Sequence, residues 1–118
     1  MGSYLSITIN SRIFLIVAIL FIQSCSQKSN DFNILCQKFQ ELEIKENYQD
    51  LSSAEKYFWL SENLKEDIGE TSNAYFAWNA ISSASPNQRY MLLKLSAEES
   101  GLKNWQCKAA KNIIAEVG

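Results

Sequence analysis

An apolar run, IFLIVAILFI at residues 13–22, stops abruptly in polar sequence, and that break limits what the rest of the chain can become. Ten helical residues span roughly 15 Å, about half of the ~30 Å hydrocarbon core of a bilayer. Extending the run back to Tyr4 brings in Asn10, Ser11 and Arg12, so no stretch of membrane-crossing length results. A basic flank, a short apolar centre and small residues behind it have the layout of a secretory signal. Removing such a segment leaves residues 25–118, a folding unit small enough for a single core to be marginal.

The run ends at Ile22-Gln23-Ser24-Cys25. This tetrapeptide resembles the lipobox of bacterial lipoproteins, with an aliphatic residue three before the cysteine and a small residue just before it. Gln23 stands where Ala, Ser or Thr is more usual. The resemblance covers the first 25 residues and implies diacylglycerol on the Cys25 sulfur, cleavage before Cys25, and acylation of the new amino terminus. Two or three acyl chains meet the requirement that stable anchoring needs more than one lipid. Residues 1–24 are then a signal peptide, residues 25–30 a lipidated tether, and residues 31–118 the folded domain. Ser26, in place of Asp, implies by the same resemblance the periplasmic face of the outer membrane. Three readings compete: an amino-terminal anchor that is retained, a plain signal cut after Ser24 or Ser26, and N-myristoylation at Gly2 with Ser6 in place. The last leaves IFLIVAILFI without a role.

Cysteine parity bears on the choice. The chain has three cysteines, Cys25, Cys36 and Cys107. In an oxidising compartment an odd thiol is a liability, and lipid on Cys25 leaves two to pair. A Cys36–Cys107 bridge would close a loop of about 70 residues, worth roughly 4 kcal/mol on chain-entropy grounds. Two buried free thiols are the alternative.

Past residue 30 the apolar spacing is helical throughout, and no strand pattern competes. From about Asp31 to Lys45, Phe32, Leu35, Cys36, Phe39 and Leu42 share a face. Ser52 and Glu55 form a capping box that opens a second helix with the stripe Tyr57, Leu60, Leu64 and Ile68, ended by Gly69. A third helix, about Ser72 to Ser83, is apolar on nearly every face, which predicts a central helix surrounded by others. Ser85 and Gln88 predict a second capping box around Pro86, with Met91, Leu92 and Leu95 facing inward behind it. Asn104 is the expected cap of a last helix from Trp105 to Val117, burying Ala110, Ile113, Ile114 and Val117. The expected fold is all-α, an irregular or orthogonal bundle of about five helices with one disulfide. The stretch from Asn87 to Cys107 is also loosely similar to the ends of small uncharacterised exported helical proteins of proteobacteria, with Arg89, Gly101 and Cys107 in the matching places. That similarity implies no activity.

The chain contains no histidine, so neither a Ser-His-Asp nor a Cys-His arrangement is available. There is no Gly-rich phosphate loop, and a net charge of −2 with a pI near 5.1 argues against a basic patch and against nucleic-acid binding. Glu62, Glu66, Asp67 and Glu70 cluster on the second helix, but calcium sites wrap oxygens from loops, and Lys56 and Lys65 lie close, so a solvated face is expected. No enzyme, metal or cofactor is expected. At 100° per residue, Trp59 points roughly 145° from the stripe, among Glu55, Glu62, Asn63 and Glu66. Trp59, Glu62 and Glu66 are therefore the candidate protein-binding residues, unless a neighbouring segment covers the indole. Two function classes stand: a non-enzymatic envelope lipoprotein that binds a protein as adaptor or assembly module, and an inhibitor or immunity-type lipoprotein that blocks a toxin or lytic enzyme.

Overall fold

A computed structural model describes residues 30–118, and Cys25, the proposed signal and nearly all of the proposed tether lie outside them. Every regular element among the described residues is an α-helix or a 3₁₀ turn. Helix α1 occupies residues 30–43. Its three- and four-residue spacing buries Phe32, Leu35, Phe39 and Leu42 completely or nearly so, with Cys36 half-buried beside them. A loop containing the 3₁₀ turn Tyr48–Asp50 leads to α2, Ser53–Ile68. The Ser52–Glu55 capping box is complete. Glu55 N–H donates to Ser52 Oγ at 3.1 Å and Ser52 N–H donates to Glu55 Oε1 at 3.2 Å. Gly69 ends the helix at φ 79°, where a side chain would be strained.

Helix α3, Asn73–Ile81, is capped by Ser72 and packs between α2 and α4. It is not enclosed on every side. Ala74, Trp78 and Ile81 are buried, while Phe76 is 71% exposed and Ala80 is exposed, because no element among the described residues covers that flank. The second expected capping box does not form either. Pro86–Gln88 makes a 3₁₀ turn, closed by Gln88 N–H on Ser85 O at 2.9 Å, and Ser85 contributes no side-chain cap.

Helix α4, Arg89–Glu99, is rotated relative to the expected orientation. Arg89, Leu93 and Ala97 face inward, and Met91, Leu92 and Leu95 face outward. The cause is Arg89, whose guanidinium donates to Ile114 O at 3.2 Å, Val117 O at 2.8 Å and Ala84 O at 3.1 Å. Ile114 O and Val117 O belong to the turn after the last helix and Ala84 O to the loop before Pro86, so backbone carbonyls on two sides satisfy the buried cation. The four-residue step from Arg89 then selects Leu93 and Ala97.

The last helix starts later than expected. Asn104 adopts a left-handed conformation at φ 59°, which Asn tolerates, and Trp105 to Cys107 lie outside any helix. Helix α5 is Lys108–Ile113, capped by Cys107, whose Sγ accepts from Ala110 N–H at 3.4 Å. A 3₁₀ turn, Ile114–Glu116, follows. Ala110, Ile113, Ile114 and Val117 are buried as their spacing required. Cys36 and Cys107 form the disulfide with Cα atoms 5.7 Å apart, and Phe32 meets Trp105 edge-on at 6.2 Å. The bridge ties α1 to the start of α5.

Candidate binding surface

The loop between α1 and α2 builds the surface. Tyr48 is pinned there, its hydroxyl donating to the Glu116 carboxylate and its ring lying under Lys56 Nζ at 4.1 Å. Lys56 also pairs with Glu116 at 3.7 Å. Burial foremost, then the Glu116 hydrogen bond, then the charges of Glu116 and Glu43, push the Tyr48 hydroxyl well above the ordinary tyrosine range. With Tyr48 fixed, the loop lies along one flank of α2 and brings Lys45 Nζ to 5.1 Å from the Trp59 ring centroid.

This position corrects the expected surroundings of Trp59. The indole is half-buried against the edge of the core, since the loop widens the covered arc of α2 to include Lys56 and Trp59. Asn63 Nδ2 donates to the Trp59 backbone carbonyl, one turn back in α2, at 2.8 Å. Beside the indole opens an apolar depression of about 610 Å³, with Leu51, Ala54, Phe58 and Trp59 as its walls. Lys45, Asn47 and Glu55 supply its polar groups. Phe58, 65% exposed, is its most prominent side chain. The sequence held the signal for Phe58: it lies about 115° from the centre of the α2 stripe by the same helical arithmetic that singled out Trp59.

Glu62 and Glu66 are exposed on α2 but do not line the depression, so the three sequence candidates are not gathered into one site. The rest of the acidic stripe is engaged by cations. Asp67 pairs with Lys38, and Glu70 pairs with Lys65 at 3.0 Å. The Glu70 hydrogen bond, more than any other influence, holds the Lys65 ammonium above its ordinary value. Among the described residues, no three Cys, Asp or Glu side chains are grouped to hold a metal ion.

Lys45 is the depression's distinctive group. The ion pairs among the described residues engage Lys38, Lys56 and Lys65, and Lys45 takes part in none. A cation over an indole, beside exposed apolar wall, suits a ligand that combines an apolar group with a carboxylate. The fold and this surface define a small disulfide-bridged helical bundle with an open apolar depression. No protein family, curated protein or solved structure matches the chain.

Proposed function

We propose that the chain is an exported lipoprotein, held in the cell envelope by lipid on Cys25, that acts without catalysis by binding a protein partner. The lipobox-like tetrapeptide and the pairing of the other two cysteines support export and anchoring, and Ser26 favours the periplasmic face of the outer membrane. The depression around Phe58 and Trp59 is the docking face. Its occupant is a partner segment that seats an aliphatic or aromatic side chain against Phe58 and Leu51, with an acidic residue meeting Lys45.

The observation that carries this reading is the exposure of Phe58 within an apolar depression whose lysine, Lys45, enters no ion pair among the described residues. Leaving a phenylalanine in water loses burial energy of about 2 kcal/mol, which a partner recovers. Two measurements test the two halves. Intact mass and acyl labelling of the wild type against Cys25→Ala test the anchor, and an unlipidated wild type refutes it. Phe58→Ala tests the docking face: partner affinity falls by about 30-fold with an unchanged melt. Undiminished affinity refutes that assignment.

A further inference from the structure

A second pocket, between α4 and the start of α5, has the opposite chemistry. It holds about 330 Å³ and is lined by Tyr90, Lys94, Gln106, Lys108 and Lys111. All five side chains can donate hydrogen bonds, and none is a carboxylate. The Tyr90 hydroxyl already accepts from Cys107 N–H at 3.2 Å, so its own proton is free to point at a ligand oxygen. Lys94, Lys108 and Lys111 enter no ion pair among the described residues, and Glu98, one turn beyond Lys94, does not reach it. The net charge of −2, which argued against any basic patch, conceals this local cluster. Convergent donors without an acceptor-only group fit an oxyanion.

The pocket's place in the fold narrows the source of that oxyanion. Phe32 lies against Trp105 and Cys36 is bridged to Cys107, so the chain enters the domain along the segment that carries Gln106 and Lys108. Asn30 precedes Cys36 by about 9 Å of helix. The residues from Cys25 to Asn30 reach at most ~18 Å. A lipid on Cys25 therefore keeps this end of the domain beside the bilayer.

We infer that the pocket binds the phosphate of an anionic phospholipid headgroup and so orients the domain on its own membrane. The location of the membrane rests on the lipid-anchor reading proposed above; the oxyanion chemistry does not. Each lysine near an anionic surface strengthens partition by about fivefold, so three together contribute on the order of 100-fold.

Acetylation footprinting of the full protein, purified from membranes and returned to vesicles, tests the inference. Intact mass first reports whether acyl chains are present, which scores the anchor separately from the pocket. In vesicles containing phosphatidylglycerol, Lys94, Lys108 and Lys111 should react roughly fivefold more slowly than in pure phosphatidylcholine. Lys65, on α2, should react equally in both. The double variant Lys108→Gln, Lys111→Gln should lose the protection at Lys94 while keeping the wild-type melt. Equal rates in the two vesicle types overturn the inference. Equal protection by inorganic phosphate without vesicles also overturns it, since the pocket then serves a soluble anion. Protein that lacks acyl chains yet shows phosphatidylglycerol-dependent protection supports the pocket and removes the anchor.

Discussion

Trp78 and Trp59 lie on neighbouring helices, and their surroundings differ in one respect that separates structure from function. Trp78 is fully enclosed: Phe39 meets it edge-on at 5.6 Å, Tyr57 lies at 5.7 Å, and its indole N–H donates to Ser61 Oγ at 3.2 Å. Trp59 has Lys45 over its ring and the apolar depression alongside. The same side chain is a finished core element in one place and an unfinished one in the other. Around Trp78 the chain satisfies itself, whereas around Trp59 apolar surface stays exposed beside a lysine that enters no ion pair among the described residues.

The largest effect expected on that contrast comes from Trp78→Ala. Truncating a fully buried Trp should cost about 3–5 kcal/mol, read by thermal or denaturant unfolding. A loss equal to that of Trp59→Ala would abolish the distinction. Next is the bridge. Replacing Cys36 and Cys107 with Ser together should cost about 2–4 kcal/mol, since the crosslink closes a sequence separation of 71 residues. The Trp59 side should nonetheless keep its geometry, because Tyr48 and not the disulfide holds the loop.

Tyr48→Phe tests that hold and should cost about 1.5 kcal/mol by removing the hydrogen bond to a carboxylate. Because the folded state raises the Tyr48 ionisation, it keeps a proton that the unfolded chain releases. That contribution is complete below the unfolded value of 10.0 and is lost as pH rises beyond it. Tyr48→Phe should therefore flatten the alkaline decline in stability, and an unchanged decline would show that another group causes it. Smallest of all is the depression itself: Trp59→Ala should cost about 1 kcal/mol and Phe58→Ala under about 0.5 kcal/mol. A Phe58→Ala loss comparable to that of Trp78→Ala would make the depression part of the core.

Local signals were legible and distant ones were not. The face of α1 and the Ser52–Glu55 box depend on residues three and four apart, so spacing alone locates them. The rotation of α4 depends on Arg89 reaching carbonyls 25 and 28 residues away, which no periodicity within the helix encodes. The start of α5 departs from local spacing for a related reason. Cys107 is drawn to Cys36 and caps the helix itself, overriding the local claim of Asn104. At the candidate site, helical arithmetic put Trp59 off the core stripe but had no access to the loop that Tyr48 folds over it. The lysine pocket was hidden because net charge averages over positions that the fold separates.

We propose that the Phe58–Trp59 depression docks a protein while lipid on Cys25 holds the chain in the envelope. Site-specific photocrosslinking in intact cells tests it most directly, with the reactive group at position 58 and a control at exposed position 112 on α5. The account predicts one discrete adduct from position 58, absent from position 112 and lost when Trp59→Ala or Cys25→Ala is added. No adduct at position 58, or the same adduct from both positions, would contradict it.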